Sequence, residues 1–448
     1  MLIPSSRLLI WTALTAVPAA LLAACAPEAR GLAWALPASL VVLALTDALR
    51  ARRCLAGITA ELPRETRLFR DQEGAIELHL AFPVSARGHS LRLALSLDEA
   101  LGSCQEELAL RLPESGQTCV VQWPCRPLRR ARCTTASCAF ERPSPFGFWL
   151  VIARQSLTGE IRVYPNLRTE RRQLAALLAR QREPGGQLQR QGGKGREFEK
   201  LREYVPGDDI GDIHWKATAR RGLPITKLYQ IERTQEVYVA IDTSRLTARP
   251  AALRSATEAP RTLLDSFIDC GLLLALAAQA QGDRFGLLAF DRQVHTFLGA
   301  RRGQLHFDAC RRALFLAQPA RVSPDYRELF VFLRTRLPKR ALIVIVTCLD
   351  DAALAESMEA AMPLVARHHL IALTLLKPVG AVPLFSGPDV GDRDELRARL
   401  AGHAVWQRLR EAEHALRLLG AQTAQIENEG LAATVVSQYM TIKRRQLL

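Results

Sequence analysis

The chain has 448 residues, enough for two or three domains with cores of their own. Its formal net charge is +15, from 60 Lys and Arg against 45 Asp and Glu, which suits an acidic partner such as lipid, nucleic acid or an acidic protein. Aromatics at 6% count against a base-stacking single-strand binder, and the Arg residues are spread along the chain as on a solvated surface rather than gathered into one stripe.

In chain order, residues 8–26 and residues 31–46 are free of charge, and each approaches the ~20 residues that cross a hydrocarbon core. The Pro27-Glu28-Ala29-Arg30 connection makes residues 1–53 a transmembrane helical hairpin. Arg7 precedes the first span and Arg50, Arg52 and Arg53 follow the second, so both ends and everything after them are placed in the cytoplasm. Trp11 and Trp34 sit near span ends, as interfacial aromatics do. Leu22-Ala23-Ala24-Cys25 has the look of a lipoprotein cleavage site, but a lipoprotein has no use for a second apolar span so soon after it.

Residues 54–165 read as a β-sandwich. Ile76, Leu78, Leu80 and Phe82 alternate with other residues, as do Leu91, Leu93, Leu95 and Leu97, and further runs cover residues 107–112 and 118–123. Pro143-Ser144-Pro145-Phe146-Gly147 is a turn, and Val163-Tyr164-Pro165 closes the domain. Of the ten cysteines, Cys104, Cys119, Cys125, Cys133 and Cys138 crowd this region, without the C-x-x-C spacing of a zinc site. In the cytosol they are reduced and behave as small hydrophobes. Residues 166–195 form a basic linker, Arg-rich and helical with a Leu174, Leu177, Leu178 stripe, then Gly- and Gln-rich. Its Gly192-Gly193-Lys194-Gly195 lacks both the spacing of a phosphate loop and the Ser or Thr after Lys.

Residues 196–233 are the stretch the chain is organised around. Pro206-Gly207-Asp208-Asp209 is a turn, Asp209 or Asp212 can cap the helix after it, and Gly222 sits where that helix ends. Phe198, Leu201, Tyr204, Ile213 and Trp215 are too apolar for a free linker and are expected to pack on the sheet that follows. Glu203, Asp208, Asp209, Asp212 and His214 also raise the question of acid–base or metal chemistry. In residues 234–448 apolar strands (237–241, 285–290, 294–297, 342–347, 370–375, 421–426) alternate with helices (260–281, 305–316, 326–337, 352–366, 394–419, 431–444). That is the pattern of a Rossmann-type, doubly wound parallel sheet. The first strand delivers Asp242 and Ser244 at its C-terminal end, where open α/β sheets bind ligands.

The pattern G-x-E-F-x-x-L-R-x-Y-x-P-G-D-D-x-x-x-I-x-W-K-x-x-A-R is carried by Gly195, Glu197, Phe198, Leu201, Arg202, Tyr204, Pro206, Gly207, Asp208, Asp209, Ile213, Trp215, Lys216, Ala219 and Arg220. It resembles the bacterial family called domain of unknown function 58, and the C-terminal α/β domain resembles a von Willebrand factor A-like domain. The second resemblance implies a metal-dependent adhesion site, D-x-S-x-S plus a Thr and an Asp from later loops, holding Mg²⁺. Asp242 and Ser244 match, Ser323 stands near the loop Thr and Asp350 near the last Asp, but Leu246 occupies the third position and cannot coordinate. The site is therefore expected to be degenerate, with weak Mg²⁺ binding or none. The first resemblance implies a membrane-embedded interaction platform that is not an enzyme. Its implied partner is a MoxR-type AAA+ ATPase engaged in complex maturation or envelope stress at the bacterial inner membrane. A metal-dependent hydrolase using the PGDD cluster and a basic surface for anionic lipid or nucleic acid are the alternatives.

Overall fold

Two apolar helices, α1 (Ser6–Cys25) and α2 (Arg30–Ala51), open the chain. The computed structural model describes residues 1–25, 30–168, 171–172, 174–175, 197–206, 208–230, 235–251, 261–349, 351–386, 392–426 and 430–445. These fall into two compact units, Met1–Asn166 and Leu167–Ala256 with Arg261–Leu448. By length and hydropathy α1 and the Ala33–Ala51 part of α2 can each cross a membrane, and only 6% and 22% of their apolar windows are covered by the rest of the chain.

The remainder of the first unit is β structure. Nine strands form in order: β1 (Leu2–Pro4), β2 (Thr59–Glu61), β3 (Glu65–Phe69), β4 (Gly74–Ala81), β5 (Ser90–Ser96), β6 (Leu108–Arg111), β7 (Thr118–Cys125), β8 (Arg132–Pro143) and β9 (Trp149–Tyr164). One sheet has the order β1-β9-β8-β5-β6, with β3 also pairing in parallel on β9; the other is β2-β4-β7. The period-2 residues do what their spacing dictates: Ile76, Leu78 and Leu80 from one sheet and Leu91, Leu93 and Phe140 from the other are buried in a single cluster. The long β8–β9 hairpin turns at Ser144–Gly147, where Gly147 has φ 76°, a value that favours glycine.

That turn is held by the helices. Asp47 of α2 is fully buried; its carboxylate accepts the Ser144 hydroxyl at 2.5 Å and the Phe146 and Phe148 N–H groups at 3.1 and 3.3 Å. The Trp149 indole N–H donates to the Ala44 carbonyl at 2.8 Å, and the Ser5 hydroxyl to the Gly147 carbonyl at 2.5 Å. All ten cysteines are free thiols.

In the second unit, β10 (Glu197–Glu203) and β11 (Ile225–Gln230) form a separate antiparallel pair. The main sheet is built from β12 (Glu236–Asp242), β13 (Arg284–Phe290), β14 (Val294–Arg301), β15 (Leu342–Thr347), β16 (Leu370–Leu376) and β17 (Gln422–Ile426). Its order is β14-β13-β12-β15-β16-β17, all parallel except the antiparallel edge strand β14. Counted from β12 this is the 3-2-1-4-5-6 order of a doubly wound sheet, whose ligand crevice lies at the strand C-termini. All six residues of β15 are buried, as a central strand covered on both faces requires.

The helices of this unit are α3 (Trp215–Arg221), α4 (Leu263–Ala280), α5 (Gln304–Phe315), α6 (Tyr326–Arg336), α7 (Ala352–Ala361), α8 (Pro363–Ala366), α9 (Arg393–Leu418) and α10 (Leu431–Arg444). The single helix expected over residues 352–366 is divided at Pro363, which starts α8. Helix α4 is also long and apolar enough to span a bilayer, but 78% of its window is buried, so it is a core helix. Thr262 and Asp265 close a capping box at its start. The linker reading needs correction at its beginning, because Leu167 and Leu174 belong to this unit's core. Leu177, Leu178 and the glycine-rich part lie outside the described residues.

Candidate functional site

The organising stretch folds on itself. Glu197 opens β10 opposite Gln230, and β10 and β11 bracket one 3₁₀ turn (Ile210–Asp212) and α3. Four of its polar side chains, Arg202, Asp208, Asp209 and His214, are occupied locally. The Arg202 guanidinium donates to Asp208 at 2.7 Å, and the second Asp208 oxygen accepts the Val205 N–H at 3.2 Å. Asp209 caps the 3₁₀ turn through the Gly211 N–H at 3.0 Å. The cap of α3 is neither Asp209 nor Asp212, as expected, but His214, whose Nδ1 accepts the Ala217 N–H at 3.1 Å. Gly222 ends α3 in the left-handed conformation at φ 71°. Tyr204 donates its N–H to the Pro224 carbonyl, and Pro206 begins the turn; Gly207 lies outside the described residues. Asp208, Asp209 and His214 therefore serve the turn and the helix start, and no metal cluster is assembled from the stretch among the described residues.

The expectation that Trp215 packs into a core is overturned: it is 67% exposed, with Ile210 at 70% and Leu223 at 56%. A seven-residue helix covers little, and the apolar position that the turn buries is Ile225 instead. Lys216 and Arg220 are exposed beside Trp215. The hairpin thus presents a Trp, aliphatic side chains and cations to solvent, held by internal polar bonds.

At the C-terminal end of β12, Asp242 and Ser244 are fully buried. One Asp242 oxygen accepts the Ser244 N–H at 2.8 Å; the other accepts the Thr347 hydroxyl at 2.6 Å. Because Thr347 spends its proton there, the Tyr326 hydroxyl, 2.9 Å from it, is the donor to Thr347. Burial pushes the Asp242 carboxyl above the usual carboxylate range, the Thr347 and Ser244 bonds oppose the shift, and Asp291 adds to it. Asp291 in turn meets His295 at 2.6 Å.

Ser323 is brought to the same rim by Arg245. The Arg245 N–H bonds the Val322 carbonyl, its Nε donates to the Ser323 hydroxyl oxygen at 3.0 Å, and its guanidinium lies 3.9 Å from Asp351. Asp350 lies outside the described residues; its neighbour Asp351 caps α7 through the Ala353 N–H. These residues do not fit a hard divalent cation. The Asp242 oxygens already accept protein donors, the third ligand position is the buried Leu246, and an arginine joins the loops. Thr347, Tyr326, Arg245 and Asp291 were absent from the sequence-derived set. A hydroxyl closing a β strand and an Arg inside D-x-S-x-x are the only sequence signals they carry.

The profile of the family described as "Protein of unknown function DUF58" matches residues 200–393. The uncharacterized proteins Rv1480 of Mycobacterium tuberculosis and Mb1516 of Mycobacterium bovis are each 28% identical over 202 residues, 45% of this chain and 60% of theirs. The chain therefore spans three fifths of the length of the curated relatives it matches. Among solved structures, a conserved hypothetical protein BatB from Bacteroides thetaiotaomicron is 14% identical, covering 47% of this chain and 99% of that one, with a TM-score of 0.30. An aerotolerance-related membrane protein from Bacteroides fragilis is likewise 14% identical, covering 46% and 97%, with a TM-score of 0.28. The strand order and the antiparallel edge strand are those of a doubly wound α/β sheet.

Proposed function

For a chain whose residues 200–393 form a DUF58 domain, we propose a membrane-anchored protein-interaction platform that works with a MoxR-type AAA+ ATPase in complex maturation or envelope stress. The observation that carries this reading is the division of labour in the signature stretch. Asp208, Asp209 and His214 are engaged in the turn and the helix cap, while Trp215 stands 67% exposed beside Lys216 and Arg220. Exposed aromatics and cations on a fixed scaffold are what a binding surface needs, whereas a hydrolytic site needs free carboxylates. On this reading α1 and α2 are a hairpin across the bacterial inner membrane, with the Arg7 and Arg50 to Arg53 flanks on the cytoplasmic side. The two sheets of the first unit form a sandwich on that side, and the second unit is cytoplasmic.

The test is capture of a purified MoxR-type ATPase from the same cell by the full chain in detergent. Trp215→Ala and Lys216→Glu should abolish capture while thermal melting stays within about 1 kcal/mol of the parent, as for surface substitutions. Capture that survives both changes refutes the platform. Hydrolysis of phosphate or peptide bonds lost on Asp208→Ala, with folding intact, would put an enzyme in its place.

A further inference from the structure

An open cavity of about 600 Å³ lies at the sheet's C-terminal rim, apart from the signature hairpin's own surface. Arg292, which follows β13, and Arg327, in the first turn of α6, stand on its walls; Ser323 and Ser357 offer hydroxyls, and Val322 and Pro324 supply apolar surface. Both arginines are exposed, and among the described residues neither forms an ion pair or hydrogen bond. Three nearby acidic groups have other work. Asp325 caps α6 through the Glu328 N–H at 3.0 Å, Asp351 caps α7 and faces Arg245, and Asp291 is paired with His295. Arg245 fixes Ser323 from behind by its bond to the hydroxyl oxygen.

We propose that this cavity binds an acidic segment of a partner protein, with two neighbouring Asp or Glu side chains engaged by Arg292 and Arg327. A guanidinium takes a carboxylate through two parallel N–H bonds, and Arg keeps its charge at any physiological pH. The Ser323 and Ser357 hydroxyls can donate to the same carboxylates or to the peptide carbonyls, and Val322 and Pro324 accept the methylenes. The volume exceeds one side chain and matches a short peptide segment. A nucleic acid fits less well, because no aromatic side chain lines the cavity to stack a base and Asp325 faces it. A metal ion is repelled by the two guanidiniums. This contact is additional to the Trp215 surface.

Fluorescence anisotropy of a labelled hexaglutamate peptide with the full chain in nanodiscs tests the proposal, with a hexaglutamine peptide for comparison. Hexaglutamate should bind and hexaglutamine should not. Arg292→Glu/Arg327→Glu should weaken binding by about tenfold or more, the loss expected for two charge-assisted pairs. The single Arg327→Gln should give an intermediate loss with unchanged melting. Lys216→Glu/Arg220→Glu makes the same change in net charge elsewhere and should leave binding within about threefold. Trp215→Ala should leave peptide binding intact, so this result and the ATPase capture can fail separately. Equal weakening by both double variants would reduce the effect to net charge and overturn the proposal. So would displacement of the peptide by millimolar inorganic phosphate, or preference for oligothymidylate over hexaglutamate.

Discussion

Thr347→Val tests the reading of the rim as an internally closed hydrogen-bond network. The substitution is nearly isosteric, so packing in β15 is kept and the hydroxyl alone is lost. Two bonds go with it: the 2.6 Å bond donated to Asp242 and the 2.9 Å bond accepted from Tyr326. All three residues are fully buried, so water does not replace either partner. A bond to a charged group is worth about 1.5–3 kcal/mol and an orphaned hydroxyl costs about 1 more, giving roughly 3 kcal/mol in all. In a unit of this size each kcal/mol moves the melting temperature by about 2–4 °C, so the expected drop is roughly 6–12 °C by differential scanning fluorimetry. Tyr326→Phe leaves Asp242 satisfied and should cost only about 1 kcal/mol.

The pH dependence has a fixed sign. The folded-state pKa of Asp242 is raised, so its contribution to stability is fully present below the unfolded value of about 3.9 and is lost as pH rises through the folded value. Removing the Thr347 donor raises the folded value further, and the penalty belongs to the ionised carboxylate. The Thr347→Val penalty should therefore be larger at pH 8 than at pH 5. A penalty below about 1 kcal/mol, or one that grows as pH falls, would refute the network.

Three further outcomes are expected. Asp47→Ala strips the acceptor from one hydroxyl and two backbone N–H groups and should cost roughly 3–5 kcal/mol, with Asp47→Asn nearer half of that, by melting in nanodiscs; an unchanged melt for both would contradict the clamp. Native thiol titration at pH 8 should modify the exposed Cys104 readily. It should spare Cys125 and Cys133, which burial pushes up to about 11, and Cys138 and Cys310, pushed up to about 12. Calorimetry of the full chain with Mg²⁺ should find no site tighter than roughly millimolar, and a micromolar site would show that the loss at Leu246 is compensated.

What the sequence discloses follows from which forces are local. The strands of the main sheet are readable because Val, Ile and Leu runs such as Leu342–Thr347 are buried on both faces. The alternation from Ile76 to Leu80 is readable because one face meets a core. Trp215 misleads because hydrophobicity measures the gain from burial, not whether a partner surface exists within the chain; α3 is too short to supply one. Asp47 directly follows the uncharged run of residues 31–46, and nothing local marks it as an acceptor. Its three donors come from residues 144–148, and only a tertiary contact discloses them. The resemblance to an adhesion site points to Asp242 and Ser244, but Thr347 lies on a neighbouring strand and Arg245 acts through Ser323, 78 positions away.

On the reading that α1 and α2 cross the bilayer, the β structure of the first unit has no hinge at the membrane. Ser5 alone stands between β1, which is paired to β9, and α1. At the other end Asp47 and the Ala44 carbonyl of α2 bind the β8–β9 turn, so both helices grip the same hairpin. Phe146, Phe148 and Trp149 then lie level with the helix ends, with Arg7 beside Gly147, which is the belt of aromatics and cations expected at a cytoplasmic headgroup layer. A sheet so fixed cannot sway independently of the hairpin. Any tilt imposed on α1 and α2 by the bilayer or by a neighbouring helix is passed through these bonds into β8 and β9, and a flexible stalk would have none of them.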